Sequence, residues 1–288
     1  MVSIDLSNPA VQSYILYSGI LGLKLLSVTV LTTRVRMAKK VFANEEDAKK
    51  TKGKVKYDDP DVERVRRAHL NDLENIPAFW VLGALYLTTS PAAAWATLLF
   101  RVYTVGRVLH TIVYAVKPLP QPARGIAFGI PYLITLYMGV KVVMHYISAF
   151  SYILYSAILT LKLLSVTMLT SRVRYSKKVF ANEEDAKAVK GKIKFDDPDV
   201  EKVRRSHLND LENIPAFWLL GALYLTTSPW PVIATLLFRV YTAFRILYTI
   251  VYAIIPLPHP ARSIAFGIPY VINVYMGVQV ILHYLSAL

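Results

Sequence analysis

The stretch DPDVERVRRAHLNDLENIPAFW, residues 59–80, decides how this chain is read. Asp59 followed by Pro60 is a helix start, an N-cap residue and then proline at the first helical position, and Asp61 and Glu63 fall in the first turn. Arg67, Asn71 and Glu74 then stand at i, i+4 and i+7 and share one helical face. From Ile76 the polarity stops and an apolar run continues to Thr89. The spacing predicts one long helix whose first half carries charge and whose second half is apolar. Pro77 removes a backbone donor inside it and is expected to kink it.

The same stretch returns as DPDVEKVRRSHLNDLENIPAFW at 197–218. Working outward, residues 13–150 and 151–288 align without a gap at a constant offset of 138, and about three quarters of the paired positions are identical. Tyr14 pairs with Tyr152, Glu74 with Glu212, Arg124 with Arg262 and His145 with His283. A period this long exceeds that of solenoid repeats. It is a whole domain present twice, 1–150 and 151–288, an in-frame tandem duplication.

Each copy offers four apolar segments. They run about Val11–Leu31, Ile76–Thr89, Ala92–Val116 and Ile126–Ile147, and again about Ile153–Leu169, Ile214–Thr227, Val232–Ile255 and Ile264–Leu285. The fold class expected is an all-α integral membrane protein, two tandem four-helix bundles with eight transmembrane helices. The mean hydropathy of +0.40 is high for a soluble domain, and the net charge of +14 is packed between the apolar segments rather than spread over a soluble surface. That distribution argues against a nucleic-acid partner. The absence of cysteine excludes a disulfide framework, a thiolate metal cluster and a cysteine nucleophile.

Orientation follows from the basic loops. Between Arg34 and Arg67 stand 12 Lys/Arg against 7 Asp/Glu, and Lys117–Arg124 adds two more cations. The positive-inside rule places both segments in the cytosol. Four spans return the chain to its starting side, so the copies are parallel and the junction 145–152 is expected to be a tight lumenal hairpin. Val11–Leu31 lacks a basic n-region and reads as a first span, not a cleaved signal.

Ionisable groups inside such helices mark function by default. The second helix of the first copy carries Arg67, Asn71 and Glu74; the third carries Arg107, His110, Thr111 and Tyr114 on one face; the fourth opens with Arg124 after a Pro-rich loop. Arg36 and Lys39 end the first helix, and Lys24 lies mid-span, placed to snorkel or to pair with a carboxylate. His69 with Asp72 has metal-ligand spacing, but two groups make a weak site and no metal is expected. Several guanidiniums, a carboxylate, an amide and a phenol at one depth suit a zwitterionic peptide with two carboxylates and one amine, and glutathione is such a molecule.

At these residues the sequence resembles the membrane-associated proteins of eicosanoid and glutathione metabolism, the MAPEG family. The resemblance is carried by VFANEED (41–47), DVERVRRAHLNDLEN (61–75), RVLHTIVY (107–114) and PLPQPAR (118–124), and it covers each copy end to end. Leu70 and Phe128 look more like the family's microsomal glutathione transferases than its prostaglandin E synthase branch. The resemblance implies four-helix bundles working as trimers in the endoplasmic reticulum membrane, with glutathione between neighbouring subunits near the cytosolic face. By the family motif Arg124 would stabilise the glutathione thiolate, and Arg36, Asn71, Glu74, Arg107, His110 and Tyr114 would hold the tripeptide. In the second copy Arg262 would take the catalytic part and Arg174, Asn209, Glu212, Arg245, Tyr248 and Tyr252 the binding part.

The activity so implied is glutathione conjugation to hydrophobic electrophiles, with reduction of lipid hydroperoxides, the second substrate arriving from the bilayer. The alternatives are a glutathione-dependent isomerase of the prostaglandin E synthase kind and a non-catalytic lipid-binding scaffold. The copies depart from each other at the motif: His110 becomes Tyr248, Gly106 becomes Phe244, and Gly125 becomes Ser263, a serine beside the thiolate arginine as in the synthase pattern. The loop position that carries a reactive cysteine in some family members is Ala48, and Ala186 in the second copy, so no activation by thiol modification is expected.

Overall fold

A computed structural model describes residues 5–147 and 152–285. The expected junction hairpin lies partly outside the described residues. Helix α1, Pro9–Lys39, begins as its sequence dictates: the Asn8 side chain accepts the Ala10 N–H, and Pro9 sits in the first turn. It ends where Lys40 takes a left-handed conformation and its N–H returns to the Arg36 and Met37 carbonyls.

A short arch follows, built of strand β1 (Val41–Phe42), helix α2 (Glu45–Lys50) and strand β2 (Lys54–Val55), the two strands pairing in parallel. Asn44 caps α2 through the Asp47 N–H. Gly53 is required there, because a Cβ would stand 2.6 Å from the Lys40 carbonyl oxygen.

Helix α3, Pro60–Leu87, starts at the expected place, with Asp59 accepting from the Asp61 and Val62 N–H groups. The apolar run from Ile76 is therefore the second half of a 28-residue helix. Helix α4, Ala93–Thr111, continues into a π-helical turn, Ile112–Val116, and α5 spans Ala123–Tyr146. The second copy repeats the order: α6 (Tyr152–Lys177), β3 (Val179–Phe180), α7 (Glu183–Ala188), β4 (Lys192–Ile193), α8 (Pro198–Thr226), α9 (Pro231–Thr249) with its π turn Ile250–Ile254, and α10 (Ala261–Tyr284).

The chain forms two compact units, Met1–Met138 with Phe180–Ile193, and Gly139–Val179 with Lys194–Leu288. In the first, α1 packs on α3 and α4 around an aromatic core. Phe79 stacks on Tyr103 with centroids 3.9 Å apart, Phe100 meets Phe79 edge-on, and Tyr14 donates its hydroxyl to the Trp80 carbonyl at 2.6 Å. In the second, Phe217, Phe238, Tyr241 and Tyr152 repeat the cluster, and α6 packs on α8 and α9 while α10 packs on the same two helices.

Outward faces are apolar as well. Leu16, Leu23, Leu26 and Val30 of α1 are exposed, a pattern suited to lipid rather than water. Five helices are long and apolar enough to cross a membrane: α1, α5, α6, α9 with its π turn, and α10. The expectation of eight spans is thus met by length in eight helices and by apolarity in five. The shortfall has a plain cause: α3 and α8 begin with charged halves, and α4 has Gly106 and His110 where the more apolar α9 has Phe244 and Tyr248. The chain is a multi-pass membrane protein.

Candidate functional site

The polar groups of the first unit centre on Asp72. It is fully buried and pairs with Lys24 of α1 and with Arg107 of α4, and the Thr111 hydroxyl donates to it at 3.4 Å. A buried carboxylate with two cations around it satisfies its own charge and leaves a net positive environment. One Arg107 Nη atom also donates to the Asn71 side-chain oxygen at 2.8 Å. The second copy repeats this: Asp210 pairs with Lys162 and Arg245, Thr249 donates to it at 3.4 Å, and Arg245 reaches the Asn209 oxygen at 3.0 Å. Lys24 therefore resolves as a carboxylate partner rather than a snorkelling side chain, and Asp72 as its counter-charge.

From Arg107 the site climbs α4. His110 is buried and stacks on Tyr114 with centroids 5.5 Å apart and planes at 20°. Tyr114 belongs to the π turn, and the Arg124 guanidinium lies over its ring at 5.0 Å. A straight α-helix would carry Tyr114 around by 100° per residue; the π turn resets that phase, a common device at functional sites. Arg107 is also the charged neighbour of Glu74. Asn71, Glu74, Arg107, His110, Tyr114 and Arg124 thus form one connected run.

In the second copy Tyr248 stacks on Tyr252 at 5.3 Å, Arg245 lies over Tyr248 at 4.9 Å and Arg262 over Tyr252 at 5.3 Å. Glu212 is exposed, unlike half-buried Glu74. Arg36 and Arg174 sit in the last turns of α1 and α6, half-buried.

The donors of the first unit are unevenly used. Buried nitrogens of Arg36 (Nη1), Arg67 (Nε), Arg107 (Nε and Nη1), His110 (Nδ1) and Arg124 (Nε) have no hydrogen-bond partner among the described residues. In the second, Arg245 (Nε and Nη1) and Arg262 (Nε) are in the same condition. Buried polar groups are normally paired, so such a concentration of guanidinium donors asks for an acceptor-rich anionic ligand.

Arg124 also meets residues that sequence reasoning did not bring to it. Glu184 accepts from it at 3.3 Å and Asp185 lies at 3.9 Å, both on α7, which belongs to the same compact unit. Arg64 reaches Glu184 at 3.3 Å and Gln121 donates to Asp185 at 3.3 Å. Burial pushes the Glu184 carboxyl up, but its own backbone N–H and the Arg124 and Arg64 guanidiniums outweigh that, and its pKa lies below the ordinary value. Arg124 is consequently buried, at 4% exposure, whereas Arg262 is half-buried and has no ion pair among the described residues. Nothing in the local sequence of either partner signals this contact.

The family model for the MAPEG family matches residues 14–144 and again 152–282, one match per copy. The chain is similar to microsomal glutathione S-transferase 1 of Sus scrofa, 42% identical over 141 residues that cover 47% of this chain and 90% of that protein. It is similar to the human protein of the same name, 43% identical over 130 residues, 43% of this chain and 83% of that protein. It is nearly as similar to human prostaglandin E synthase, 40% identical over 143 residues, 49% of this chain and 92% of that protein. About half of the chain suffices for each, as a duplication requires.

Proposed function

The chain belongs to the MAPEG family, an enzyme of that family with two copies of its domain, and from this we propose that each copy, 1–150 and 151–288, holds glutathione and stabilises its thiolate for transfer to a hydrophobic electrophile. The observation that carries the reading is the set of unpartnered guanidinium and imidazole nitrogens on Arg107, His110 and Arg124, aligned on one run of stacked rings. A tripeptide with two carboxylates, one ammonium and a thiol fits that inventory. Arg107, Arg36 and their counterparts Arg245 and Arg174 would pair its carboxylates, Glu74 and Glu212 its ammonium, and Asn71, His110 and Tyr114 (Asn209, Tyr248 and Tyr252) its peptide groups.

Glutathione supplies the nucleophilic sulfur. A free thiol is only a few per cent thiolate at neutral pH. Arg124, buried, and Arg262, half-buried, each lie over a tyrosine ring and favour the anionic form there. Each tenfold gain in thiolate requires about 1.4 kcal/mol of differential stabilisation, well within reach of one guanidinium in a partly desolvated site. The apolar outer faces let a lipid-soluble electrophile or a lipid hydroperoxide arrive laterally. The basic arch between α1 and α3 marks the cytosolic side, with the endoplasmic reticulum as the membrane and homo-oligomers built on trimeric bundles as the working assembly.

The test is conjugation of glutathione to an aromatic electrophile in membranes. The Arg124→Ala, Arg262→Ala double variant is expected to lose about 10²–10³ in kcat while still binding glutathione. Unchanged turnover in the double variant overturns the assignment of the thiolate arginines. An absence of turnover and of glutathione binding in the folded wild type turns the reading to a lipid-binding scaffold.

A second reading has its own support. Ser263 beside Arg262 and the 40% identity to a prostaglandin E synthase favour an isomerase acting on an endoperoxide. Product analysis with an endoperoxide substrate separates the two: isomerised product without a glutathione adduct favours the isomerase.

A further inference from the structure

Two arches of the same sequence are used differently. VFANEEDAK stands at 41–49 and again at 179–187. The two are built alike: Asn44 accepts the Asp47 N–H and donates to the Asp47 carboxylate at 3.0 Å, and Asn182 does the same for Asp185 at 2.7 Å. Each arch therefore presents its acids in one pose. In the first unit Glu184 and Asp185 are half-buried in a seat made by Arg124 at the start of α5, Arg64 of α3 and Gln121. Their equivalents on α2, Glu46 and Asp47, are exposed, and neither pairs with a cation among the described residues; Lys49 pairs with Glu45 instead.

The second unit keeps the seat. Arg262 opens α10 as Arg124 opens α5, Lys202 stands where Arg64 does, and His259 where Gln121 does. Lys202 lies 3.5 Å from Asp199, as Arg64 lies 2.9 Å from Asp61, so the two cations have the same local partner. Arg124 is 4% exposed under its acids, whereas Arg262 is half-buried and has no ion pair among the described residues. One arch is thus without a seat, and one seat is without an arch.

We propose that α2 of a second copy of this chain docks on this seat, setting its Glu46 against Arg262 and Lys202 and its Asp47 against Arg262 and His259. A contact between unlike surfaces leaves one donor and one acceptor over in each chain, and head-to-tail addition of a further chain uses both. Carboxylates facing guanidinium and ammonium groups supply the charge complementarity that fixes such a register. The arginine of the first copy is then covered within its own chain, and the arginine of the second only in the assembly. The contact does not depend on glutathione.

The chain has no cysteine, so introduced thiols are the only ones present. Asp47→Cys and His259→Cys are placed in two differently tagged full-length chains, which are co-expressed in membranes and treated with a short thiol-to-thiol cross-linker. A two-chain product carrying both tags is expected. As a control, Gln121→Cys with Asp185→Cys in one chain should link without joining chains, because Gln121 donates to Asp185 at 3.3 Å. Adding Glu46→Lys to the Asp47→Cys chain should lower the two-tag product about tenfold. Absence of that product while the control pair links overturns the proposal, as does a yield that Glu46→Lys leaves unchanged. Asp47→Cys and His259→Cys together in one chain, linking only within that chain, would mean that the arch closes on its own chain and also overturns it. Failure of the control pair to link removes the seat from which the proposal is drawn. The readout is assembly alone, so the glutathione reading stands under every outcome.

Discussion

Asp72 receives a lysine from α1 and an arginine from α4 without any contact with water, and Asp210 does the same in the second copy. Removing the carboxylate charge leaves two cations in an apolar bundle. Asp72→Asn is expected to lower stability by about 3–5 kcal/mol, read as a loss of melting temperature in detergent, with glutathione affinity falling as Arg107 loses its anchor. A melting temperature within a degree of wild type would mean the pair is not a structural keystone. These residues were only half legible in the sequence. Lys24 stood out as a mid-span cation, but neither helical periodicity nor spacing says which carboxylate, 48 residues away, meets it. Arg107, Asn71 and His110 were legible because they share helical faces. Glu184 was not, because its partner Arg124 lies 60 positions earlier and the contact exists only in the folded unit.

At the scale of elements, starts were the most readable feature. The Asp59–Pro60 cap and its repeat at Asp197–Pro198 stand where sequence chemistry puts them. Asp59→Ala is expected to cost about 1 kcal/mol, visible as faster amide exchange in the first turn of α3. The π turns of α4 and α9 were not readable, since a π turn uses the same residues as the α-helix it interrupts. Helix packing was partly readable through glycine. A Cβ on Gly106 would stand 2.5 Å from the Pro131 ring of α5, so α4 and α5 approach closely there. Gly106→Ala should force them apart at a cost of about 1–3 kcal/mol. Phe244 stands at this position in the second copy, so Phe244→Ala should create space in α9 rather than strain. Both substitutions should lower the melting temperature in a detergent assay, Gly106→Ala by overpacking and Phe244→Ala by lost apolar contact.

For the whole molecule, charge and duplication govern behaviour. The net charge of +14 sits mostly on the long helices and their ends, because basic and acidic residues nearly balance in the two arches. Within the first unit the acidic start of α7 meets Arg124 and Arg64. The pKa of Glu184 is depressed on folding, so its contribution is present above the unfolded carboxyl value near 4.3 and is lost as pH falls through the lower folded value. Glu184 is about a third exposed, at 32%, so the effect is small, at most about 1 kcal/mol. Melting curves taken from pH 6 down to pH 3 should show the wild type losing a slight advantage over Glu184→Gln, and none of it above pH 6.

By itself the sequence determined the family, the duplication, the helical class, the helix starts and the residue types of the site, because each is written in local order: caps, apolar runs, helical faces and a 138-residue echo. Only the tertiary structure decided which charges neutralise one another, that Tyr114 is turned under Arg124, and that Arg124 is covered by acids whereas Arg262 meets none among the described residues. Those outcomes depend on distances between residues far apart in the chain, and electrostatic pairing in a low-dielectric interior is settled by distance and burial.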